Sequence, residues 1–445
     1  MSGAAGGRCC PLPKKEENCI FFFSKLPAGC IVQIDCLRRG ESGGITMQYN
    51  FDEIIDRSGT NAVSEDGIRR AYFGNLPLEL IRPKKDFIRM WIADMEFAVP
   101  DFILDAVRDR LDGKILGYTA LYDDDYFNAF SNWVGIMSGW HFEREDLFIS
   151  HGIVEALFSL VGFICRPGDK VLITTPSYRP FAASADCNGV GLVCSPLKND
   201  SGYYTVDYAD FAEKAADPAV KVCIFCNPHN PTGRVWKEEE LRRVGEICLE
   251  NGLFLISDEI HCDLLRPGIQ HIPTASLFPE SDRIITCMAP SKTFNIAGLQ
   301  MSNIIIPNAA LKECWKKKFE SEVNPLSLAA ATAAYTKGYD WLVKLRQYLD
   351  GNFAAMKGFL AQYLPKAVFR IPEATYLAWI DISAYVKPGT DIEKLFAEKT
   401  GVLLEAENSF VANADGHIRV NIACPRAVLI EALNRMKKLL VPETE

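Results

Sequence analysis

Between residues 146 and 307 the chain alternates short apolar runs with helical patterns several times over. Residues 147–150, 170–174, 220–226, 253–257 and 283–288 are apolar nearly throughout. Strands with one wet face would alternate; uninterrupted apolar runs are what strands covered on both faces look like. Between two of them Ile153, Ala156, Leu157, Leu160, Val161 and Ile164 mark one helical face. Residues 237–250 read as another helix. This alternation predicts an α/β fold with a mostly parallel sheet, helices on both faces. Ligands of such sheets collect beyond the carboxyl ends of the strands. The residues that follow each apolar run are therefore where chemistry is expected.

The flanks have a different pattern. Residues 1–46 carry five cysteines, many glycines and no sustained periodicity, and are expected to be a disordered extension or the product of an upstream start, with Met47 the natural first residue. Residues 47–95 contain turns and the run M-W-I-A (90–93), read as a short strand. After Pro100 a helix is expected to about residue 111, and another follows Asp123. From residue 326 a small α+β unit is predicted: an alanine-rich helical stretch, strands at 376–382 and 418–422, and helices at 392–399 and 426–440. The expected division is 47–95 and 326–445 as one smaller domain built from both ends, around a large domain over 96–325.

Five features at the expected site carry chemistry. Lys292, in A-P-S-K-T-F-N-I-A-G-L-Q, is placed at the end of a buried strand, where a charged amine is costly. It becomes useful if it forms an imine with a carbonyl, which needs an easily deprotonated ammonium. Asp258 ends the run 253–257, and a buried carboxylate there calls for a cation such as a protonated pyridine nitrogen. Gly152 opens a helix after a strand, and Gly152, Ile153 and Val154 offer backbone N–H groups to a phosphate. Ser291 would add a hydroxyl. N-P-H-N-P-T-G (227–233) builds a rigid turn that positions the Asn230 amide. Arg419, within H-I-R-V-N-I-A, needs an anion, and its fork matches a carboxylate.

In that order, S-K-T-F-N-I-A-G, N-P-H-N-P-T-G, S-D-E-I-H and I-R-V-N-I-A resemble the fold-type I pyridoxal 5'-phosphate enzymes of the aspartate-aminotransferase-like superfamily. Y-N-F-D-E-I-I-D-R, M-W-I-A-D-M-E-F, I-L-G-Y-T and S-D-E-I-H-C-D narrow the resemblance to the PatB/MalY-type cystathionine β-lyases, over about residues 49–440. The resemblance implies that Lys292 bears the cofactor and moves the substrate proton, that Asp258 pairs with the ring nitrogen and Asn230 with the ring oxygen, and that Tyr178 stacks on the ring. Gly152, Ile153, Val154 and Ser291 would hold the phosphate. Tyr118 would reach the site of the neighbouring subunit in a homodimer, and Arg419 the substrate carboxylate. His261 and Gln300 stand where many aminotransferases place a tyrosine and an arginine; both departures also fit the lyase group. Trp91, Tyr122 and Tyr376 are expected to line the substrate side-chain pocket.

A net charge of −9 argues against nucleic acid or an anionic membrane as the main partner. No apolar run approaches the roughly 20 residues that span a bilayer. The 15 cysteines are scattered and odd in number, as expected for reduced thiols in a cytoplasm. Cys223 and Cys226 read as strand filling. The implied reaction is β-elimination from a sulfur amino acid. Transamination on the same residues remains the alternative. A regulatory protein-binding role, as some relatives of the lyase group have, is the rival from another class.

Overall fold

The computed structural model of the chain describes residues 49–74, 86–319 and 322–441. The expectations for residues 1–46 and for Met47 lie outside the described residues.

The apolar runs assemble into one seven-stranded sheet. Its strands are β1 (Leu147–Ser150), β2 (Lys170–Thr175), β3 (Gly191–Pro196), β4 (Val220–Cys226), β5 (Phe254–Asp258), β6 (Ile284–Met288) and β7 (Ser302–Ile305), in the spatial order β1-β7-β6-β5-β4-β2-β3. Only β7 runs antiparallel to its neighbours. The mostly parallel sheet predicted from the uninterrupted apolar runs is what forms.

The two-sided burial is visible along β4. Val222, Ile224 and Cys226 face a cluster with Ala156, Leu160 and Phe181, whereas Cys223 and Phe225 face Phe211, Leu241 and Val244. Helix Ile153–Ile164 thus covers one face and helix Glu238–Glu250 the other. Each fully buried side chain of this size contributes about 1.5–3 kcal/mol relative to exposure. The two cysteines of C-I-F-C point to opposite faces as free thiols, in agreement with strand filling.

A second sheet is antiparallel throughout and consists of β8 (Val368–Phe369), β9 (Leu377–Asp381), β10 (Glu405–Ala406) and β11 (His417–Asn421), ordered β8-β9-β11-β10. Helices Tyr339–Tyr363, Ile392–Thr400 and Arg426–Leu440 accompany it. Helix Pro325–Lys337 starts where expected because the Asn324 side chain accepts from the N–H groups of Leu326 and Ser327, with proline in the first turn.

One expectation is corrected. M-W-I-A is not a strand: the strand is Ile88–Arg89, paired in parallel with Val402–Leu403, and residues 91–93 are bends. The carbonyls of residues 91–94 are taken by side chains instead of a ladder. Arg419 donates to Trp91, Asn421 to Ile92 and Asp94, and Tyr376 to Ala93. Apolar content alone does not distinguish a strand from a segment held this way.

Candidate active site

The carboxyl ends of β4, β5 and β6 open on a cavity of about 480 Å3. Lys292, Asp258, Asn230, Tyr178, Gly152, Ile153, Val154, Ser291, His261, Gln300 and Arg419 all line it. Residues from six distant parts of the sequence are brought to one place.

Lys292 sits in the turn after β6, not on the strand. That turn is fastened from outside. Asn295, at φ 57°, donates to the carbonyls of Met95 and Phe97 at 3.0 and 2.9 Å and accepts from Met95 N–H at 3.0 Å. Thr293 donates to the buried Asp263 at 2.8 Å, which Trp133 also contacts. The Lys292 amine donates to the Ala93 carbonyl at 2.7 Å. Enclosure by protein lowers its pKa; the nearby Asp94 acts in the opposite direction.

Asp258 is the last residue of β5 and 4% exposed. Its carboxylate accepts one backbone N–H, from Ile260 at 3.2 Å, and no side chain among the described residues donates to it. Burial pushes its pKa up to about 7. Burial likewise pushes His261 down to about 3, with the Lys292 and Arg419 charges adding to the effect. His261 is therefore neutral, and its Nδ1 is buried without a partner.

The turn 227–233 is rigid for identifiable reasons. His229 N–H donates to Arg234 carbonyl at 2.8 Å, and Asn227 Nδ2 to Ile272 carbonyl at 3.0 Å. Gly233 is at φ 69°, and a Cβ there would lie 2.2 Å from Pro372 Cβ, so only glycine fits. Asn230 Oδ1 accepts from Arg419 Nη1 at 3.0 Å, which fixes the amide. Tyr178 is held by the antiparallel pairing of Ser177–Tyr178 with Phe410–Val411. At the far wall, Gly152, at φ 133°, precedes helix Ile153–Ile164 without a side-chain cap. The first N–H groups of a helix have no partner within it and sit at the positive end of its dipole.

Some expected residues are elsewhere. Tyr118, expected to serve the neighbouring subunit, is 94% exposed and outside this chain's own cavity. Trp91, Tyr122 and Tyr376 do not line the cavity either. Trp91 packs on Tyr72 and donates to Ser64 carbonyl, Tyr122 is exposed, and Tyr376 lies behind His261. Among the lining residues that went unnoticed in the sequence is Glu405, which forms an ion pair with Arg419. The signal was present, since V-L-L-E-A places a carboxylate in an apolar run, the same argument that singled out Asp258.

The aminotransferase class I and II family model matches residues 85–436. The chain belongs to this family. Among the aminotransferase-family relatives, cystathionine β-lyase PatB of Bacillus subtilis is 38% identical over 88% of this chain and all of that protein. The solved pyridoxal-phosphate-bound C–S lyase of Staphylococcus hominis is 49% identical with a TM-score of 0.85, covering 90% of this chain and 100% of that one. Cystalysin of Treponema denticola is 32% identical with a TM-score of 0.82, covering 88% and 99%. The architecture is thus the fold-type I arrangement of this aminotransferase family, as its sequence motifs implied.

Proposed function

We propose that the chain is a pyridoxal-phosphate-dependent β-lyase of cysteine S-conjugates of the cystathionine type, releasing a thiol, pyruvate and ammonia. The observation that carries the cofactor in this reading is Asp258: a buried carboxylate, its pKa raised by burial, to which its own chain supplies a single N–H donor. A protonated pyridine nitrogen is the cation that such a group lacks. The remaining donors suit the same molecule. The helix start at Gly152, Ile153 and Val154 with Ser291 would hold its phosphate, the Asn230 amide its ring oxygen, and Tyr178 its face. The PatB and C–S lyase relatives, at 38% and 49% identity, support the lyase assignment.

When bound, the cofactor supplies an electron sink for the negative charge that develops at the substrate α-carbon. The chain's own part is positioning and proton movement. Lys292, with its amine made less basic by enclosure, takes the α-proton at Nζ. Asp258 keeps the ring nitrogen protonated. Arg419 holds the substrate carboxylate. Neutral His261 fills the wall beside Asp258 without adding charge. Gln300 leaves the phosphate end to helix dipole and neutral donors.

A homodimer is part of the reading. Ile115, Leu116, Tyr118 and Tyr122 form an exposed apolar stretch on the single chain, and Tyr118 would complete the partner's site. The division at residues 95 and 325 into a large and a smaller domain is retained as a proposal. So is a cytoplasmic location, supported by the free state of every cysteine among the described residues. No helix among them is long and apolar enough to cross a membrane.

The test is L-cystathionine with coupled pyruvate detection and thiol titration. Catalytic release of both supports the lyase. Stoichiometric conversion of the cofactor to its amine form without thiol would assign transamination instead.

A further inference from the structure

Glu405 lines the cavity, carries a charge beside the site's cation and has no task in the reading above. It is the cross-strand partner of Arg419, in β10 against β11. The Arg419 side chain is 2% exposed and that of Glu405 19%. The guanidinium is already held by two neutral acceptors: Nη1 donates to Asn230 Oδ1 at 3.0 Å and Nη2 to the Trp91 carbonyl at 3.1 Å. Glu405 Oε2 is ion-paired to Nη2, while Nε is buried with no partner. Nη2 and Nε form the edge of the fork that accepts a carboxylate with two parallel bonds. Glu405 touches only half of that edge.

We propose that Glu405 is a resident stand-in for the substrate carboxylate, occupying Arg419 in the resting site and giving way when an amino acid binds. This rests on the reading that Arg419 is the substrate-carboxylate site. Two consequences follow from electrostatics. An incoming carboxylate competes with a built-in one, so carboxylate affinity is held below what a free buried arginine would give. A displaced Glu405 also stays near the ligand, which favours ligands that bring an ammonium next to their carboxylate over plain carboxylates. Glu405 is thereby a specificity-determining residue for α-amino acids.

The test uses holoenzyme and sodium propionate, a carboxylate with no amine, with propionamide and sodium chloride of equal ionic strength as controls. The thermal midpoint is followed against ligand concentration for the wild type, Glu405→Gln and Glu405→Asp. Half-saturating propionate is expected to fall by roughly tenfold in Glu405→Gln, with Glu405→Asp in between and no response to propionamide. Should Glu405→Gln fail to fold, a fall in Glu405→Asp carries the same meaning. Equal propionate protection in wild type and variants, or none in any of them, overturns the proposal. The double variant Glu405→Gln/Arg419→Lys separates the two readings. A gain that survives there places the carboxylate elsewhere and removes Arg419, and with it Glu405, from substrate recognition.

Discussion

Asp258 and Lys292 are moved in opposite directions by one cause. Burial raises the carboxyl and lowers the amine, since in each case it disfavours the charged form. For Asp258 this has a measurable sign. An unfolded aspartate loses its proton near pH ~3.9, whereas the folded group holds it to about 7. Between those values the folded state binds the extra proton, so its stability falls as pH rises through the window. Cofactor-free wild type is therefore expected to lose thermal stability relative to Asp258→Asn between about pH 4 and 7. His261, pushed to about 3, acts in the opposite sense, but it is common to both proteins and cancels in the difference. The check is the difference in thermal midpoint across pH, and a flat difference contradicts the buried-acid account. Lys292→Ala is expected to reduce pyruvate release by roughly 10^3-fold or more. Borohydride should fix the chromophore to the Lys292 peptide in wild type and leave the variant unlabelled.

At the scale of elements, the site depends on two loops fastened to segments far away in sequence. Asn295→Ala removes a side chain that makes three hydrogen bonds to residues 95–97. It is expected to cost about 1–3 kcal/mol in denaturant unfolding and to speed cofactor loss, read by absorbance after dilution. Gly233→Ala meets both the Pro372 contact and the positive φ. A destabilisation of about 2–4 kcal/mol is expected, with weaker cofactor retention through Asn230. These two loops also mark the limit of what sequence pattern conveys. The strands were legible because two-sided burial leaves no polar register. Lys292, Asp258 and Arg419 were legible because a charge at the end of or within such a run demands a partner. Glu405 obeys the same rule but sits in a two-residue strand too short to register as one. The 91–94 segment misled because its carbonyls bond to side chains, and nothing local encodes which distant side chain arrives. Tyr376 and Trp91 were near the right motifs, yet proximity in sequence does not say which way a ring faces.

At the scale of the molecule, the exposed run from Ile115 to Tyr122 is the feature a lone chain leaves open. Ile115→Asp combined with Leu116→Asp is expected to shift sedimentation toward the monomer and to reduce lyase turnover together, because Tyr118 would no longer reach a neighbour's site. Loss of one without the other contradicts the shared-site account. Within the chain a different closure operates. The Lys292 amine rests on the Ala93 carbonyl, and the strip that carries Ala93 is pinned by Arg419 and Asn421. Segments more than 300 residues apart in sequence thus meet beside the Lys292 amine. The surroundings of that amine are thereby an indirect readout of whether two remote segments have docked, and a lesion at Asn421 can unseat it without touching the cavity.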